Sequence, residues 1–76
     1  MQVVDGKIGT TYIVEKINLD EVVERRLEIL GMTEGVKISI LNKKNGGAVI
    51  LRVRGSRFAL GREIAEGIRI GCVKNE

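Results

Sequence analysis

A chain of 76 residues with ten glycines, no proline, no histidine, one cysteine and a net charge of +3 is confined to a few kinds of protein. It reads as one domain that buries only about 60% of its unfolded surface, which leaves little room for an enclosed active site. Without histidine no Ser/His/Asp or Cys/His catalytic set can be assembled, and Cys72 alone forms neither an internal disulfide nor a thiolate pair, which fits a reducing compartment.

Residues 5–10, DGKIGT, read as a turn, and TYIVEKI from Thr11 to Ile17 alternates enough to be a first strand. Asn18 with Glu21 three residues on makes an Asn-led capping box, which predicts a helix start there. Asp20, Glu21 and Glu24 suit the positive end of that helix. Apolar residues at 19, 22, 23, 27 and 30 follow helical spacing and predict the inward face, and Gly31 supplies the left-handed residue that stops the helix.

After a second turn at Gly35 the period becomes two, with Val36, Ile38 and Ile40 on one face and Lys37, Ser39 and Leu41 on the other. Asn45, Gly46 and Gly47 predict the turn of a hairpin whose second arm is AVILRVR. In that arm Val49, Leu51 and Val53 share one face, whereas Ala48, Ile50, Arg52 and Arg54 share the other. Gly55 and Ser56 turn the chain into RFAL, GREIAEG is long enough for about one helical turn with Ile64 and Ala65 inward, and Ile68 to Ile70 returns as a last strand. The fold class expected is mainly β, a small, partly open barrel of about five strands with one inserted helix and a short helical turn near the C-terminus. One domain fills residues 1–76, and residues 74–76 are expected to be a frayed tail.

From Arg25 to Ile70 the order of features resembles the FeoA family, small proteins tied to bacterial and archaeal ferrous iron transport. The residues that carry this resemblance are Arg26 and Leu27, the Leu30-Gly31 corner, Gly35, the turn of Val53, Arg54 and Gly55, and then Ala59, Leu60, Ala65 and Ile68. The chain departs from the family pattern at Gly61, where a basic or larger residue is expected, and in a compressed N-terminus. The resemblance implies an SH3-like barrel, a cytoplasmic location and one partner, the large membrane ferrous iron transporter with its cytosolic GTP-binding part. A similar domain is also found at the C-terminal end of metal-dependent repressors.

Charge is distributed unevenly. Residues 1–34 sum to −3, residues 35–62 carry seven basic residues and no acid, and residues 63–76 sum to −1. Such a one-signed block attracts phosphates, anionic lipid or an acidic protein face. Arg52, Arg54 and Arg57, with Lys43 and Lys44 at the hairpin tip, are the expected electrostatic contacts to a partner, and Leu30 and Met32 the apolar anchors at the helix corner.

No metal ligand, cofactor or catalytic residue is expected. Glu21, Glu24 and Glu28 could form an acidic stripe on the helix, but the reading favoured is a solvated face. Gly46-Gly47 lacks the Lys-Ser/Thr that follows a phosphate-binding loop. No apolar run approaches the roughly 18 residues of a spanning helix, so direct membrane insertion is not expected, and the N-terminus lacks the features of a signal peptide. The resemblance together with the basic block implies the function expected, a cytoplasmic interaction module that docks on and modulates the transporter. The alternatives are a nucleic-acid-binding small barrel, which rests on the same basic block, and a stand-alone relative of the repressor domain. Nucleic acid is not the expected partner, because Tyr12 and Phe58 are the only aromatics and neither lies in KKNGGAVILRVR, whereas single strands stack on aromatic platforms.

Overall fold

A computed structural model describes residues 1–73, so the expected frayed tail at 74–76 lies outside the described residues. The elements are a 3-10 turn at Val3–Asp5, β1 at Thr11–Ile17, α1 at Glu21–Ile29, β2 at Lys37–Lys43, β3 at Val49–Val53, β4 at Ser56–Leu60, α2 at Arg62–Glu66 and β5 at Ile68–Cys72. The five strands form one antiparallel sheet in the order β4-β3-β2-β1-β5, curved around a core but not closed between β4 and β5.

The period-two runs fold as their patterning requires. Ile38 and Ile40 from β2, Val49, Leu51 and Val53 from β3, Leu60 from β4, Tyr12, Val14 and Ile17 from β1, and Ile68 and Ile70 from β5 fill the interior. Leu27, Met32 and Ala65 cap that core from the helices and their corners. Two bulges curve the sheet, one in the β1–β5 pairing between Val14 and Lys16 and one in the β2–β3 pairing between Ile40 and Asn42. Among the described residues the core is made of hydrophobic side chains, and no charged, amide or serine/threonine side chain is buried outright. The buried Tyr12 keeps its hydroxyl satisfied by accepting from the Lys7 amide at 2.9 Å.

The N-terminal segment contributes more than a turn. Val3 is wholly buried, Gln2 bridges to Arg69, and the Ile70 amide donates to the Met1 carbonyl at 2.7 Å. This segment therefore covers the outer edge of β5, which would otherwise be unpaired.

Three local expectations need correction. The helix is capped by Asp20, whose carboxylate accepts from the Val23 amide at 3.0 Å, and Asn18 lies before it, with its amide donating to the Gly67 carbonyl. Starting at Glu21 lets Leu19 pack onto the α2–β5 corner, where a Cβ on Gly67 would collide with it. The inward stripe is also narrower than expected: Leu27 is buried and Val23 partly so, but Val22 is 64% and Leu30 45% exposed. A nine-residue helix touches this small sheet along one i, i+4 line only. Finally, β3 ends at Val53, so Arg54 is not a strand residue beside Arg52; it occupies the turn to β4 with φ of 51°.

Candidate functional site

The end of α1 builds the centre of the site. Leu30 is the C-cap, the Gly31 amide donates to the Glu28 carbonyl at 2.9 Å, and the Met32 amide donates to the Leu27 carbonyl at 2.8 Å. These two bonds, with Gly31 at φ of 88°, are a Schellman stop. Its geometry sends Met32 back beneath the helix, where it and Leu27 both enter the core, and leaves Leu30 outside. Met32 is thus 0% exposed and is a core residue, which overturns the expectation that it anchors a partner. Leu30 keeps the exposure that role requires.

Leu30 has unexpected company. Ile29 is 86% exposed, the most exposed large apolar side chain among the described residues, and Val22 lies seven residues earlier on nearly the same line of the helix. Ile29 and Leu30 are therefore an exposed apolar pair at the end of the helix, whereas Val22 lies about 10 Å back along it with Arg25 and Arg26 between. Burying such side chains on a partner is worth roughly 1.5–3 kcal/mol each before the costs of association are deducted.

Arg54 approaches the same helix corner from the sheet. Arg54 and Gly55 have φ of 51° and 81°, the pattern of a type I′ two-residue hairpin turn. The Arg54 side chain runs across the helix corner, where a Cβ placed on Gly31 would lie 3.3 Å from Arg54 Cδ. Its charge also complements the negative C-terminal end of α1, as does that of Arg26 in the last turn. Arg52 and Arg57 are exposed and directly opposed across β3 and β4.

The remaining expected contacts lie elsewhere. Lys43 pairs with Val49 at the far end of the β2–β3 hairpin, and strand rise puts that end about 13 Å from Val53. Lys43 Nζ donates to the Val4 carbonyl at 3.1 Å, so it ties the tip to the 3-10 turn. Lys44 is exposed beside the Gly46-Gly47 turn, and Arg62 lies over Gly47 while pairing with Glu66 at 3.2 Å. The basic block thus divides into an arginine group by the α1 corner and a lysine tip. Among the described residues the ion pairs are Arg25–Glu21 and Arg62–Glu66, so no carboxylate neutralises Arg52, Arg54, Arg57 or Lys44.

The acidic stripe is also redistributed. Glu21 pairs with Arg25 at 3.4 Å, whereas Glu24 and Glu28 line an open groove of about 230 Å3 with Glu34, Thr33 and Ile17. Glu34 accepts from the Ile17 amide there, and among the described residues no three carboxylate, thiol or imidazole groups stand close enough to hold a metal ion. A larger open crevice of about 380 Å3 mixes Lys16 and Arg69 with Asp5 and Glu66. Of the two aromatics, Tyr12 is buried and Phe58 is packed against the core. Gly61 serves as the backbone N-cap of α2 with no side-chain cap, its carbonyl accepting from the Ala65 amide.

Among the described residues no helix is long and apolar enough to cross a membrane. None of the curated proteins matches the chain in sequence. The solved FeoA protein of Chlorobium tepidum is similar at 26% identity over 100% of this chain and 73% of that one, with a TM-score of 0.89. Stenotrophomonas maltophilia FeoA in complex with zinc, described as a prokaryotic SH3 domain protein, is 24% identical over 93% of this chain and 89% of its own, with a TM-score of 0.79. The zinc-bound protein ScaR shares the fold at 22% identity and a TM-score of 0.84, over 96% of this chain but only 37% of its own. The FeoA domain profile matches residues 1–71, and with it the curved five-stranded sheet and the Leu30-Gly31 corner place this chain in the FeoA family, an SH3-like family linked to ferrous iron transport.

Proposed function

We propose that the chain is a cytoplasmic docking module of a ferrous iron uptake system, binding the cytosolic GTP-binding part of the membrane transporter and modulating it. The observation that carries this reading is the α1 corner, where Ile29 and Leu30 stand exposed at the helix end and Arg54, paired with no carboxylate among the described residues, packs over the adjoining Gly31. A desolvated apolar anchor holds a complex, and the arginines beside it steer encounter with an acidic face and reject a basic one. The work proposed is binding rather than catalysis. Family membership, together with the likeness to Chlorobium tepidum FeoA, supports the link to iron transport. The description of Stenotrophomonas maltophilia FeoA as a candidate ferrous iron transport activating factor suggests the direction of the modulation.

The test is recovery of the transporter's cytosolic part on immobilised protein. An Arg52→Glu, Arg54→Glu double variant, folded by its amide spectrum, is expected to recover at least tenfold less than wild type. Equal recovery would sink the arginine-face version of the docking.

A further inference from the structure

The two edges of the sheet are treated differently. The outer edge of β5 is covered by the chain's own N-terminus through the Gln2–Arg69 bridge and the Ile70 amide bond to Met1. The outer edge of β4 is not covered: Ser56–Leu60 pairs with β3 alone, and among the described residues no other backbone bond reaches it.

Register identifies which groups are open. In a two-residue hairpin the pair flanking the turn, Val53 and Ser56, exchanges backbone hydrogen bonds. Alternation then bonds Leu51 with Phe58 and Val49 with Leu60, leaving Arg57 and Ala59 with their amides and carbonyls directed away from β3. Arg57 is opposed to Arg52 in a non-hydrogen-bonded pair, the arrangement that brings side chains closest, and like charges so placed repel. One charge suffices to discourage aggregation at an edge. A second arginine opposite it, with neither paired to a carboxylate among the described residues, makes a like-charged pair that a bound anion would favour.

We propose that the open edge of β4 is a binding site for an extended acidic peptide segment of a partner protein, which adds as a sixth strand. Its backbone bonds to Arg57 and Ala59, and a carboxylate on its outer face lies against the Arg52–Arg57 pair. A second copy of this chain is a poor occupant, because edge-to-edge pairing brings another Arg52–Arg57 pair onto the same face. This inference stands on the sheet edge and not on the identity of the transporter.

The experiment is amide hydrogen exchange on the full chain, alone and with a short capped peptide alternating Glu with Thr. Alone, the Arg57 and Ala59 amides are expected to exchange fast while those of Phe58 and Leu60 are protected. With the peptide at about ten times its Kd, the Arg57 and Ala59 amides should slow about tenfold. The Lys-for-Glu peptide, and a Glu peptide N-methylated at its edge-facing amides, should give no slowing. Arg57→Gln should weaken the Glu peptide while leaving the protection of Phe58 intact, which separates lost binding from lost fold. No slowing with the Glu peptide, or equal slowing with its lysine or N-methylated counterpart, overturns the proposal. Because no transporter is present, that failure leaves the docking reading standing, whereas failure of the wild-type chain to recover the transporter, with an intact peptide response, removes the docking reading alone.

Discussion

β3 lies between two turns that reverse the chain with different residues. At the β2–β3 end the positive-φ positions are Gly46 and Gly47, at 87° and 91°, where glycine carries no steric penalty. At the β3–β4 end the first such position is Arg54, the only non-glycine residue among those described with positive φ. Placing an arginine there costs about 1 kcal/mol or more, and Asn-Gly would be the easier choice. The first turn is built for close packing and the second for presenting a side chain. Gly47 has Arg62 pressed against it, whereas Arg54 lies over Gly31 at the end of α1, next in sequence to the exposed Ile29 and Leu30.

Substitutions at the two turns should therefore separate stability from binding. The largest effect is expected at Gly47→Ala, which combines an unfavourable φ with a Cβ only 2.8 Å from Arg62 Cγ. It should destabilise by about 2 kcal/mol in denaturant titration, with docking unchanged once the protein is folded. Arg54→Asn should move stability the opposite way, a gain of roughly 0.5–1 kcal/mol after loss of its interaction with the helix end, while weakening partner binding. A loss of stability at Arg54→Asn would mean that the arginine is retained for the fold. The smallest effect is expected at Ile29→Ser, which should change stability by less than about 0.5 kcal/mol because the side chain is already exposed. Its cost should appear in docking.

Much of this contrast was legible in the residues. The period-two runs in 36–41 and 49–53, the Asn-Gly-Gly signal and the helix stop at Gly31 define the sheet and its corners without tertiary information. What failed depended on direction at a corner. Met32 follows a glycine stop and looks surface-bound, but the Schellman bonds carry it under Leu27. An apolar residue just past a helix-ending glycine is the usual partner of the third residue from the end, so that signal was present. Ile29 was passed over because it lies off the inward stripe, about 200° around from Leu27. That position is what makes it a surface apolar residue. Val3 gave no periodic signal, since a short 3-10 turn acquires its burial only from the strand and helix it closes against. The alternation of AVILRVR puts Arg54 on the face of Arg52, but β3 ends at Val53 and the turn takes Arg54 out of that alternation.

On this reading the α1 corner, not the lysine tip, carries docking. The most direct measurement is the Kd of the transporter's cytosolic GTP-binding part for wild type, for Ile29→Ser combined with Arg54→Asn, and for Lys44→Gln. The corner variant is expected to bind at least tenfold more weakly, a loss of about 1.4 kcal/mol or more, and the tip variant to stay within about twofold. A corner variant that binds as wild type does, with the loss falling instead on Lys44→Gln, would contradict it.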